Sequence, residues 1–292
     1  MRRTLLFIPG NNANMILNGG LLGADNIIFD LEDAVSPDEK DAARELLKNA
    51  LGALNFGKCA MIIRINGLDT PYWKEDLAAV LPMHPDMIML PKTGSGGDIR
   101  TLSAEMSRIE AANGMPEGGV KIIALVETAI GVENAYAVCT ASERMTGIFL
   151  GAEDLSADLR CSRTKSGEEI FYARSRIVNA ARAAGIDAFD TPYTDLEDLA
   201  GLEADALFAK GMGFTGKASI SPGHIAVINK VFSPSEKEIA YARDVFAAIA
   251  EAKRQGKGAV SLRGKMIDAP IVLRARTVLE MASEIEGVDY LA

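Results

Sequence analysis

Eight short apolar runs punctuate the chain, at residues 4–8, 26–30, 60–65, 87–90, 121–126, 147–150, 188–190 and 218–220. Between them lie longer segments with helical periodicity, such as 39–54, 99–112, 132–141, 168–184 and 196–212. Strands that are apolar on both faces and alternate with helices form a parallel sheet covered on both sides. Eight such units in about 225 residues fit a closed (β/α)8 TIM barrel better than an open doubly wound sheet. An open sheet of that kind would usually carry an early glycine-rich phosphate fingerprint, and no GxGxxG occurs here.

The pattern changes after the eighth run. Ser233-Pro234-Ser235 opens a long helix that reaches about Arg254, with Ser233 or Ser235 as its N-cap and acids in its first turn. Gln255-Gly256-Lys257-Gly258 breaks the helix, and a short extended piece spans 259–262. Gly264-Lys265-Met266-Ile267-Asp268-Ala269-Pro270 then leads to a last helix ending near Glu286. This predicts a catalytic barrel over 1–232 and a C-terminal helical appendage over 233–292. The glycine-bounded loop of the appendage suits a lid or an oligomer contact.

With 48% hydrophobic residues the chain can build a large core, and its net charge of −9 argues against a duplex nucleic-acid partner. A few local arginines still allow an anionic small substrate. Cys59, Cys139 and Cys161 are odd in number and too widely spaced for a CxxC pair, so they read as thiols in a reducing compartment. Two arginines precede the apolar run at 5–8, as in a signal peptide, but Pro9-Gly10 ends that run far too soon for one or for a membrane span. The expected location is the cytoplasm.

Catalytic groups of a barrel sit at the C-terminal ends of its strands. Here those ends carry Asp30, Glu32, Asp33, Glu127, Glu153, Asp154 and Asp190, with two cations, Arg64 and Lys92. Acids crowded in one mouth raise each other's pKa, and a divalent cation relieves them. Oxygen ligands without His or Cys point to Mg²⁺ or Mn²⁺ rather than Zn²⁺. Asp33 and Asp190 fit helix caps as well as functional groups. Glu127 is a poor cap and ends a run that must be buried, which favours function. Arg64, inside an apolar run, serves either an internal ion pair or a substrate carboxylate. There is no GxSxG, and His84 and His224 lack metal-ligand spacing. His84, in a Pro-Met-His-Pro turn, reads as solvated. No Schiff-base lysine stands out inside a strand, which leaves Lys92, at a strand end, as the sole imine candidate and disfavours a Schiff-base aldolase.

The strand-end residues lie in segments that together resemble the citrate lyase β-subunit family, within the HpcH/HpaI aldolase–citrate lyase superfamily. The segments are RRTLLFIPGNNANM (2–15), IIFDLEDAVSPDEKDAAR (27–44), IIRINGLDT (62–70), MLPKT (89–93), ALVETAIGVENA (124–135), IFLGAEDLSADLR (148–160), AARAAGIDAFDTPYTD (180–195) and GKMIDAP (264–270). The resemblance implies Mg²⁺-dependent cleavage of a citryl thioester, bound to CoA or to a carrier, into oxaloacetate and an acetyl thioester. It implies that Glu127 and Asp154 bind Mg²⁺, that Arg64 and Glu127 bind substrate, and that Asp268 reaches a neighbouring subunit's site as a catalytic group. The partners implied are an acyl-carrier subunit, a CoA-transferase subunit and further copies of the chain, with a trimer favoured. Asp268 also fits a plain cap for the final helix, two residues ahead of Pro270. Acyl-CoA lyase relatives often read IHP after strand 8 where this chain reads Ile220-Ser221-Pro222, which favours the citrate lyase branch. A stand-alone malyl-, citramalyl- or related 3-hydroxyacyl-CoA lyase is the alternative. A non-catalytic scaffold or sensor barrel is disfavoured by the charges of Arg64, Glu127 and Asp154.

Overall fold

The computed structural model describes residues 2–255 and 260–291. Of the expected helix break at 255–258 and extended piece at 259–262, residues 256–259 lie outside the described residues. Two compact units are present, Arg2–Lys230 and Val231–Ala292. No helix among the described residues is long and apolar enough to cross a membrane.

The first unit is a barrel of eight parallel strands: β1 (Thr4–Pro9), β2 (Asn26–Asp30), β3 (Ala60–Arg64), β4 (Met87–Leu90), β5 (Lys121–Val126), β6 (Met145–Leu150), β7 (Asp187–Asp190) and β8 (Gly216–Ser219). Each pairs with its neighbour in sequence, and β1 closes the ring on β8 through Thr4↔Lys217, Leu5↔Ala218 and Leu6↔Ser219. Strand alternation divides the apolar residues into two layers. Leu5, Ile28, Ile62, Ile123, Leu125, Phe149 and Phe189 form one cluster, while Leu6, Ile27, Phe29, Ile63 and Leu90 pack in another with the helix residues Leu47, Leu77 and Leu102. Gly147 makes room in the first layer, since a Cβ there would lie 2.5 Å from the Phe189 ring.

The helices depart from expectation at their ends. The segment 132–141 is two short helices, Ala129–Glu133 and Ala135–Cys139, the first capped by the Thr128 hydroxyl. The segment 196–212 becomes helical at Leu199, where Asp198 supplies the cap. Strand β8 begins two residues earlier than its apolar run because it includes Lys217, which is fully buried and ion-paired.

That lysine stands buried inside a strand, where the sequence let no lysine stand out. Its ammonium meets Asp190 Oδ2 at 2.6 Å, Asp205 Oδ2 at 2.6 Å and the Thr191 carbonyl at 2.7 Å, which engages all three of its hydrogens. Arg174 faces the same carboxylates, forked onto Asp190 by two 2.9 Å bonds and reaching Asp205 at 2.8 Å. Burial works against ionisation of Asp205, but Lys217 and Arg174 outweigh it and hold its carboxyl below the usual range. Asp205 therefore adds stability at neutral pH that is lost as pH falls through its depressed value. Two cations balance two anions in this cluster. Lys217→Met strands one negative charge and is expected to cost about 3–5 kcal/mol in chemical denaturation. Adding Asp190→Asn restores neutrality and is expected to recover part of the loss; a fully additive double variant would show that charge balance is not what the cluster provides.

In the second unit, Ser235 and Glu238 form a capping box at the head of helix Glu236–Arg254. That helix packs on Ala269–Glu286 through Ala242, Val245, Ala275 and Leu279. The piece expected to be a glycine-bounded loop is instead a hairpin of Ser261–Leu262 and Lys265–Met266. Its two turn residues, Arg263 and Gly264, have φ of 52° and 77°, the backbone sense that tight hairpins require.

Candidate active site

The β2 exit is wound tightly about Asp30. Asp30 Oδ1 accepts the Glu32 N–H at 2.9 Å and Oδ2 accepts the Ala34 N–H at 3.1 Å. The same oxygens receive Arg64 Nε at 2.7 Å and Nη2 at 2.6 Å, so the end of β3 is forked onto the end of β2. Strand register places these residues side by side, Asp30 opposite Arg64. Arg64 Nη1 lies 2.9 Å from Glu32 Oε2, an ion pair not aligned as a hydrogen bond, and the Phe7 ring is 5.2 Å from the guanidinium carbon. Burial weakens this cation, but its bonds to Asp30 and the charges of Asp30 and Glu32 prevail and hold its proton more firmly than usual. Lys40 secures the loop from below, donating to the carbonyls of Leu31 at 2.8 Å and Glu32 at 2.7 Å.

Glu127 stands just past β5, 4% exposed, with Oε1 accepting the Lys92 N–H at 2.7 Å. Burial pushes its carboxyl up to about 8; the Lys92 N–H and Arg64 oppose the shift, while Glu32 and Asp154 add to it. Gly151, just past β6, lets the glutamate fit, because a Cβ there would lie 2.7 Å from Glu127 Oε2. The helix Ala152–Asp158 follows directly and carries Asp154 in its first turn. Arg64, Glu127 and Asp154 line one cavity of about 500 Å³, with Asp30, Asp33 and Glu153 among its polar wall and Phe7, Leu125, Phe149 and Ile220 among its apolar wall.

The acids read as one ring thus separate. Asp190 belongs to the buried cluster with Arg174 and Lys217, two cations the reading of strand ends did not count. Lys217 was detectable in principle, since it stands opposite Asp190 in the strand register. Arg174 was detectable from its place on the apolar face of Phe171–Ala184, beside Ala173 and Ile177. Arg64 holds its ion pair, and its Nε–Nη2 edge is taken by Asp30. Asp268 belongs to the second unit, where its side chain accepts the Ile271 N–H at 3.1 Å and caps the final helix. His84 is exposed, as expected, in a left-handed turn, and His224 is fully buried with Nε2 3.3 Å from the Leu196 carbonyl.

Among the described residues, no three His, Cys, Asp or Glu side chains are grouped to hold a metal. Mg²⁺ does not require three, because it commonly takes one or two carboxylates and keeps several waters. Glu127 and Asp154 fit that demand: both open onto the cavity, and each other's charge is unfavourable without a cation.

The family described as HpcH/HpaI aldolase/citrate lyase matches residues 3–222. The chain belongs to this family. It is 45% identical over 289 residues to the citrate lyase subunit beta of Leuconostoc mesenteroides subsp. cremoris, over 99% of this chain and 96% of that one. It is 33% identical over 305 residues to the L-malyl-CoA/beta-methylmalyl-CoA lyase of Cereibacter sphaeroides, over 98% and 96% of the two chains. Among solved structures, CitE from Mycobacterium tuberculosis in complex with magnesium, acetoacetate and coenzyme A is similar at a TM-score of 0.78 and 32% identity, over 97% of this chain and 98% of that one. The chain is a carbon–carbon lyase.

Asp30 occupies the Nε–Nη2 edge of the Arg64 guanidinium, and Nη1, on the other edge, lies beside Glu32 where Arg64 lines the cavity. Arg64→Lys keeps the charge but cannot serve both edges. One charge-assisted bond is worth about 1.5–3 kcal/mol, so kcat/KM is expected to fall about tenfold to a hundredfold. A lower melting temperature with kcat/KM unchanged would assign Arg64 to structure alone.

Proposed function

We propose that the chain cleaves a citryl thioester, carried on CoA or on an acyl-carrier arm, to oxaloacetate and an acetyl thioester. The observation that carries this reading is the single cavity at the C-terminal ends of the strands, where the carboxylate pair Glu127 and Asp154 and the cation Arg64 share one wall system. The greater identity to the citrate lyase subunit than to the malyl-CoA lyase supports the citryl branch.

Glu127 and Asp154 are the residues that would hold Mg²⁺, in keeping with the magnesium named in the similar CitE complex. When bound, Mg²⁺ supplies a Lewis acid for the hydroxyl and carboxylate of the substrate. Arg64, in the cavity wall, binds a substrate carboxylate and stabilises negative charge as it develops. The substrate hydroxyl loses its proton to a carboxylate as the carbon–carbon bond breaks. The bonding pair moves into the thioester enolate, and a proton returned to that carbon gives the acetyl thioester. Asp268 of a neighbouring copy is the proposed base, so the working form is a homo-oligomer. The name of the Leuconostoc relative, a subunit beta, supports assembly with other subunits; the partners proposed are an acyl-carrier subunit and a CoA-transferase subunit, and the proposed setting is the cytoplasm.

Purified protein given citryl-, citramalyl- and malyl-CoA with Mg²⁺ is expected to release keto acid fastest from citryl-CoA. Glu127→Gln and Asp154→Asn are each expected to lower kcat/KM at least about a hundredfold, because ligand carboxylates support several kcal/mol of charge stabilisation. EDTA should do the same to the parent enzyme. Turnover that survives EDTA and both substitutions would remove the metal from the mechanism, and preference for malyl-CoA would move the enzyme to the other branch.

Capping and catalysis by Asp268 are separable. Asp268→Ser keeps a good cap and loses the carboxylate, whereas Asp268→Ala loses both and should cost about 1 kcal/mol of stability. The Ser variant is expected to melt like the parent yet be inactive. Mixing it with Glu127→Gln protein under subunit exchange should restore part of the activity. An active Ser variant would leave Asp268 as a cap, and failure to complement despite proven exchange would confine it to its own chain.

A further inference from the structure

Strand β4 leaves the barrel through the turn Leu90-Pro91-Lys92-Thr93. Proline suits the second position of such a turn, and a left-handed third position is normally filled by glycine. Here that third residue is Lys92, with φ of 50°. The turn is fastened on both sides, because the Thr93 N–H donates to the Leu125 carbonyl at 3.0 Å and the Thr93 hydroxyl to the Leu90 carbonyl at 2.9 Å. A side chain kept where glycine is easier needs a reason, and Lys92 has an ammonium contact that supplies one, beside a main-chain contact that any residue there would make. Its N–H reaches Glu127 Oε1 at 2.7 Å, and its ammonium reaches Glu32 Oε1 at 2.7 Å. The other Glu32 oxygen lies 2.9 Å from Arg64 Nη1. One residue therefore links the proposed metal carboxylate to the proposed substrate cation.

We propose that Lys92 is a positioning residue of the lyase site. Its main-chain N–H holds one oxygen of Glu127 and leaves the other to the cavity. Its ammonium holds Glu32 against Arg64 Nη1, so that the guanidinium stays fixed in the cavity wall for a substrate carboxylate. The two duties fall on different parts of the residue, and substitution separates them. The inference rests on the metal and carboxylate reading given above.

Lys92→Gly keeps the left-handed amide and deletes the ammonium. Mn²⁺ binding to the substrate-free protein, read by paramagnetic resonance, is expected to stay within about threefold of the parent, since no contact to Glu127 is lost. In the same variant kcat/KM should fall about tenfold to a hundredfold, with KM carrying most of the loss, because Arg64 binds the carboxylate in ground and transition states alike. Lys92→Arg should recover most of that loss. Lys92→Val, β-branched and ill-suited to positive φ, should in addition weaken Mn²⁺ binding about tenfold or more. Should the Val variant fail to fold, the parent labelled with ¹⁵N-lysine replaces it. Its Lys92 amide, assigned by its disappearance in Lys92→Arg, should shift with the Mg²⁺ titration. Parent-like kcat/KM in Lys92→Gly overturns the ammonium's duty. Parent-like Mn²⁺ affinity in Lys92→Val, or a Lys92 amide indifferent to Mg²⁺, overturns the main chain's. Glu127→Gln protein that still binds Mn²⁺ normally would instead sink the metal reading itself, whatever Lys92 does.

Discussion

A charge taken out of water must find an opposite charge close by, and two clusters of this barrel meet that requirement in different ways. Asp190 and Asp205 sit against Arg174 and Lys217, and Asp30 and Glu32 sit against Arg64 and Lys92. The first cluster is buried and balanced in charge, with every hydrogen of the Lys217 ammonium spoken for. The second opens onto a cavity, which Arg64, Glu127 and Asp154 line. The difference between a structural and a chemical cluster lies in that opening, since only charges that line a cavity can meet something else.

The open side is also where the chain accepts local cost. Lys92 takes a backbone conformation that suits glycine, and Gly151 gives up a side chain so that Glu127 fits. Such concessions persist only where surrounding structure over-determines them. Here the fixed frame is the pair β4 and β5, whose register sets the end of one strand beside the end of the other.

Much of the barrel was legible because its strands are buried on both faces and so read as apolar runs with little polar interruption. The same rule explains the miss at β8, where a run counted by apolar residues omits Gly216 and Lys217. Arg64 was legible as a guanidinium in an apolar run, but its choice of partner was open, because an edge for Asp30 and an edge for substrate look alike in one dimension. Glu127 was legible from its place after a buried run. The left-handed turn at Lys92 was not, since the residue that usually signals such a turn is absent. Asp268 was legible as either cap or catalyst, and the cap is present.

Pairing of β1 with β8 brings residues 4 and 217 together, so the first strand of the barrel waits for nearly the last part of the barrel before both its edges are covered. Until then a nascent or truncated chain presents two open parallel edges flanked by apolar faces, the kind of surface that recruits foreign strands. The closed ring thus makes the barrel's solubility a property of the whole, acquired late, and a chain cut short anywhere before residue 219 is a client for chaperones and proteases rather than a smaller enzyme.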